Sequence, residues 1–288
     1  MNDQKIIQWL WKYGHFRNPE FPEAWNVQES DLPKLTLEDP AVRWAVKSIQ
    51  DLDANLARVL VPKHHNRALI ADGQVGPATL ELMFEVPRCG EPDYAVEEAG
   101  SGSWPVPGCD LSDPQKDSVH SVRFFVDAGN APAEHRAYLD KVMLGAQYCC
   151  AEAGLRVRYV TVAPYELKIQ WKPIGGSVIG YFNILQRSTC QQSLSGYLDS
   201  SYKPEWFTFC TLLIHEALGH GIGHSHTSGG IMNPSISRVP PSARGYPSYK
   251  IDGSGGNTAW ERMVRWFGGQ EVPISGGNQV DWNTDQWL

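Results

Sequence analysis

The sequence predicts an α+β chain in two units, a small helical one followed by a larger one that mixes strands and helices. Three observations carry this. Residues 41–60 place apolar side chains at helical spacing: Val42, Ala45, Val46, Ile49, Leu52, Leu56 and Val59. Residues 118–162 read as strand, helix, strand: VHSVRFFVD, an amphipathic run over 133–153, then LRVRYVTV. Between the two units, residues 91–116 hold Ser101-Gly102-Ser103, Pro105, Pro107-Gly108 and Pro114, the composition of a linker. A length of 288 residues suits one small and one medium domain.

The first unit spans residues 1–86. Its long helix is followed by the turn Ala71-Asp72-Gly73-Gln74-Val75-Gly76-Pro77 and a short helix over 78–83. The larger unit, 118–268, continues past residue 162 with strands at 167–171 (LKIQW), 177–185 and 195–199 (SGYLD). Residues 207–214 are apolar enough to form a buried helix, and 258–267 reads as a closing amphipathic helix ending at Gly268. Residues 269–288 read as an unstructured tail, and there are no internal repeats or heptads.

The chemistry is concentrated in residues 215–226, HEALGHGIGHSH, with four histidines and one glutamate. Neutral imidazoles beside a carboxylate suit a catalytic Zn²⁺: three nitrogen ligands, an open position for water, and a base for that water's proton. The spacing is unusual. In HExxH the two histidines lie about 40° apart round the helix axis, whereas His215 and His220, at i and i+5, would lie about 140° apart on a regular α-helix. Both reach one ion only if the turn at 216–219 widens, as in a π-bulge, which Gly219 would ease. The third ligand has two candidates. They are His226, in His220-x-x-Gly223-x-x-His226, and His224, in Gly223-His224-Ser225.

Far upstream stands Pro87-Arg88-Cys89-Gly90-Glu91-Pro92-Asp93. This string resembles the cysteine switch of the matrixins, the matrix metalloproteinase-like metzincins, and HxxGxxH and Ile231-Met232-Asn233-Pro234 resemble that family's zinc-binding stretch and Met-turn. The turn at 72–79 (DGQVGPAT) similarly resembles the peptidoglycan-binding-like domain that serves as the matrixin propeptide. The resemblance implies a helical propeptide, a switch and linker over 87–117, and a metzincin-type catalytic domain with a twisted mixed sheet. It implies that His215, His220 and His226 or His224 bind one catalytic zinc, with Met232 beneath it. Glu216 would act as general base and then general acid, and Cys89 would be the fourth zinc ligand of a latent zymogen. Residues 177–185 would be the edge strand beside the substrate cleft, residues 234–250 would line the pocket for the side chain after the scissile bond, and the linker would be the activation region. The closely spaced aspartates of a calcium loop are not found, so the sequence gives Ca²⁺ no support.

The expectation is a latent zinc endopeptidase that hydrolyses peptide bonds with a zinc-bound water, acts on protein or peptide substrates, and is monomeric. Two alternatives stay open: a cell-wall-directed peptidase whose residues 1–86 bind peptidoglycan, and a metal-free pseudoenzyme. A net charge of −7 argues against nucleic acid, and no apolar run reaches membrane-spanning length. Cys149-Cys150 are adjacent on one predicted helix and cannot easily bridge each other, whereas Cys109, Cys190 and Cys210 could pair or stay reduced. The opening MNDQKIIQWLWKYGHF lacks an apolar core and a small-residue cleavage site, so it is not read as a signal peptide. The family resemblance implies secretion, and the location is otherwise left open.

Overall fold

The computed structural model describes residues 2–24, 26–52, 69–94, 120–163, 165–182, 194–227, 230–235, 242, 245–251 and 259–274. Its buried side chains form two clusters, one drawn from residues 6–86 and the other from 122–267.

The first cluster joins helices α1 (Asp3–Lys12), α2 (Pro40–Leu52) and α3 (Pro77–Phe84). In α1, the Asn2 side chain accepts from Gln4 N and so satisfies one of the open amides of the first turn. Ile6, Ile7 and Leu10 then share a buried face. Helix α2 buries Val42, Ala45, Val46 and Ile49, the stripe expected from the sequence; the expected continuation to residue 60 lies outside the described residues. The turn at 71–77 is organised by one buried side chain. Gln50 reaches Asp72 Oδ1, the Gln74 carbonyl and Thr79 Oγ1 through its amide nitrogen, and accepts from Gly73 N at 2.9 Å. Those contacts account for Asp72, Gly73 and Thr79 of the turn motif without any ligand.

The second cluster is built on a mixed, mostly parallel six-stranded sheet. Its strands are β1 (Arg88–Cys89), β2 (His120–Asp127), β3 (Leu155–Val160), β4 (Leu167–Lys172), β5 (Val178–Phe182) and β6 (Leu194–Asp199). The order is β1-β5-β6-β4-β2-β3, and only the β5–β6 pair is antiparallel. Alternate residues Leu167, Ile169 and Trp171 of β4 face the core, as the two-residue period of a strand requires. Helix α4 (Ala133–Glu152) joins β2 to β3 and packs on β3 and on α5 (Trp206–Leu213). Helix α6 (Ala259–Phe267) closes the unit; Thr258, expected to start it, lies outside the described residues.

Two readings change. The tail at 269–288 is not unstructured from its start: Val272 N donates to the Ala151 carbonyl, tying residues 269–274 to the end of α4. Residues 91–94, grouped with the linker on composition, are held by the N-terminal unit through the Tyr13 carbonyl. The rest of the linker and tail, 95–119 and 275–288, lies outside the described residues, as do Cys109 and Cys190. Cys149, Cys150 and Cys210 are buried free thiols. Among the described residues no helix is long and apolar enough to cross a membrane.

Candidate metal centre

Helix α5 runs without interruption into a π-helical turn, Ile214–Gly219. The His220 amide donates to both the Glu216 and His215 carbonyls, and the second of these is the i→i+5 bond of a widened turn. That extra width brings the His215 and His220 rings to 4.8 Å between centroids, although they are five residues apart. Gly219, within the turn, leaves room for Met232. A side-chain carbon there would lie 2.3 Å from Met232 Sδ, and Met232 is itself fully buried. Gly219→Ala is therefore expected to destabilise the fold by about 1–3 kcal/mol, as overpacking does. Urea unfolding of the variant beside wild type checks this.

After the π turn, a 3₁₀ turn at His220–Ile222 and Gly223 at φ 112° reverse the chain. This reversal carries His226 back to the first two histidines, with ring centroids 5.3 Å from His215 and 4.8 Å from His220. Ligand-type atoms of Cys89, His215, His220 and His226 lie within 4.8 Å of one another, all four residues are buried, and together they could hold a metal ion. Cys89 Sγ is 3.4 Å from His220 Nε2, which in turn is 3.1 Å from His226 Nε2.

His224, the other candidate for third ligand, stands outside this cluster. Its ring packs against Tyr249 and Trp266, and its carbonyl faces His220 Nδ1 at 2.9 Å. The His220-x-x-Gly-x-x-His226 register is the one the backbone follows, because the left-handed Gly223 turns the chain before residue 224 can face inward.

The donor set suits a cation. His215 and His220 each meet a carbonyl with Nδ1, which leaves Nε2 free for a cation, the tautomer a metal-binding histidine needs; His226 Nδ1 has a carboxylate nearby but no aligned hydrogen bond. His215 Nδ1 faces the Ile231 carbonyl at 2.6 Å, His220 Nδ1 faces the His224 carbonyl, and His226 Nδ1 lies 3.2 Å from Asp93 Oδ1. Among the described residues His215 Nε2 and Glu216 Oε1 are buried without a hydrogen-bond partner, which is costly unless something else meets them. Burial, and then repulsion from His226, pushes the His215 pKa down to about 3, so its ring is neutral and able to ligate. Burial, and then the Glu216 charge, drives the Cys89 thiol well above its usual range, so only a cation would stabilise the thiolate here.

Glu216 lies beside the cluster, with Oε2 3.6 Å from Cys89 Sγ. It fits against β5 only because residue 180 is glycine, since a carbon added there would come within 2.7 Å of Oε1.

Cys89 arrives on β1, which runs parallel to β5 in the groove between β5 and residues 234–235. Three backbone bonds seat it: Arg88 N to the Ser177 carbonyl, Cys89 N to the Pro234 carbonyl and Gly90 N to the Gly180 carbonyl, at 2.7–2.9 Å. Residues 236–241 and 243–244 of the expected specificity segment lie outside the described residues.

The Asp93 carboxylate, at the end of the switch string, joins both halves of the chain. It takes Arg88 Nη2 at 2.6 and 2.7 Å on its two oxygens, and one oxygen lies 3.0 Å from His15 Nε2 without an aligned hydrogen bond. Burial alone would raise its pKa, but the Arg88 charge and contacts from His15 and His226 hold it well below the usual range. Trp9 and Tyr13 cover the Arg88 guanidinium at 4.5 and 4.0 Å. Gly14, at φ 79°, lets Tyr94 approach so closely that any side chain there would meet its carbonyl at 1.8 Å. His15 carried no sequence signal for this place, being distant in the chain and in no motif.

No family model matches this chain, and no curated protein matches it either.

Proposed function

We propose that the chain is a latent zinc endopeptidase of the matrixin kind, whose substrate groove is blocked by its own residues 88–90. The observation that supports this most is the buried quartet Cys89, His215, His220 and His226 with Glu216 alongside, at the edge of a sheet whose outer strand is already paired to an extended segment. The order of sheet, histidine-bearing helix and closing helix agrees with a metzincin-type domain. The chemistry of the donors, three imidazoles and a thiol, favours zinc. The N-terminal unit would then be the propeptide.

His215, His220 and His226 would hold the ion by Nε2, and Cys89 would fill the remaining position in the latent chain. Bound zinc would supply Lewis acidity at the scissile carbonyl and acidify a water, lowering its pKa to about 7. The rest is done by this chain's own groups. The Ser177 and Gly180 carbonyls, now accepting from residues 88 and 90, would accept from the amides of an extended substrate. Glu216 Oε2 would take a proton from the attacking water and return it to the leaving amine.

Zinc content and peptide cleavage, measured before and after nicking within residues 95–119, test the reading. About one zinc per chain is expected, with cleavage only after nicking. Zinc near zero would overturn it in favour of the pseudoenzyme, and capture of the intact chain on peptidoglycan would point to the cell-wall alternative.

A further inference from the structure

Of the three imidazoles in the cluster, two are oriented by carbonyls of their own domain: Ile231 for His215 and His224 for His220. The third is different. His226 Nδ1 has no aligned hydrogen bond, and the acceptor nearest to hand is Asp93 Oδ1 at 3.2 Å, a carboxylate of the switch string. Asp93 in turn is fixed by Arg88 and by His15, whose Nδ1 meets Ser48 Oγ, itself bound by Asn18 Nδ2 at 2.8 Å. All these groups are buried.

We infer that Asp93 is a positioning residue for His226. On this view the N-terminal part of the chain supports the metal centre through the carboxylate beside His226 as well as capping it with Cys89. The inference rests on the metal-binding reading above. A carboxylate on the far nitrogen of a metal-binding imidazole fixes its tautomer, aims its Nε2 lone pair and raises its basicity, and losing such a partner typically lowers metal affinity about 10–100-fold. Departure of residues 88–94 would therefore withdraw two supports at once, the thiolate and the orienting carboxylate. His15 makes the second support depend on the core of the first unit, through Ser48 and Asn18.

The contrary possibility is that Asp93 matters only by pairing with Arg88 and so placing Cys89. A cycle in the full-length chain separates the two. Zinc and cobalt(II) affinities are measured by chelator competition for wild type, Cys89→Ser, Asp93→Asn and the double variant, with the cobalt absorption spectrum as second readout. If Asp93 acts through His226, Asp93→Asn lowers affinity about 10–100-fold even in the Cys89→Ser background, and the cobalt spectrum shifts there too. If it acts only by placing Cys89, the substitution is silent once the thiol is gone, and the inference falls. Because Asp93→Asn strands the buried Arg88 charge, Arg88→Gln/Asp93→Asn is run in parallel. It removes both charges together, which a buried pair tolerates better than loss of one, and the same loss of affinity is expected. An intact chain that binds neither metal would sink the metal-binding reading itself, an outcome distinct from affinity that ignores Asp93.

Discussion

Cys89→Ser in the uncut chain is expected to cleave peptides at least about tenfold faster than uncut wild type, the factor that corresponds to about 1.4 kcal/mol of lost ligation. It should still be slower than the nicked enzyme. The reason lies in how the segment is held. Exchanging sulfur for a hydroxyl removes the soft anionic donor that suits zinc, but it leaves the three backbone bonds of residues 88–90 and the Arg88–Asp93–His15 contacts in place. Each backbone bond contributes roughly 0.5–1.5 kcal/mol net, so the strand would still occupy the groove for part of the time. Nicking frees it. A peptide-cleavage assay on the three forms checks the ranking. Equal, low activity in both uncut forms beside an active nicked enzyme would assign latency to the strand itself and not to the thiol.

The helix and strand positions were largely legible because they obey simple periods. The stripe of Val42, Ala45, Val46 and Ile49 and the alternation of Leu167, Ile169 and Trp171 each state a buried face outright. Helix α1 was not read as one, although Asn2 as a cap and the buried set Ile6, Ile7 and Leu10 carry the signal. The π turn could be anticipated from geometry alone, since two imidazoles five residues apart cannot share a face of a regular helix. The choice between His224 and His226 could not. It depends on where the chain reverses, and that is set by the left-handed conformation of Gly223, which the sequence permits but does not require. The His15–Asp93–His226 relay was out of reach for a stronger reason. Its members come from three separate segments, and only the docking of the two units brings them together.

Glu216→Ala is expected to keep zinc and lose activity, with nicked-enzyme turnover falling by roughly 10²–10⁴-fold, the usual worth of a general acid–base group. The carboxylate stands next to the quartet that could hold a metal ion without belonging to it, so its loss would take no donor from such an ion. In the closed chain, burial and then the Glu91 charge push the Glu216 carboxyl well above its usual range. Glu216→Gln keeps the volume that alanine removes and serves as the control for packing. Both variants should match wild type in zinc content by elemental analysis while losing turnover. If either lost its zinc with the fold intact by circular dichroism, Glu216 would have to be a ligand, and the water-activating role argued for it could not stand.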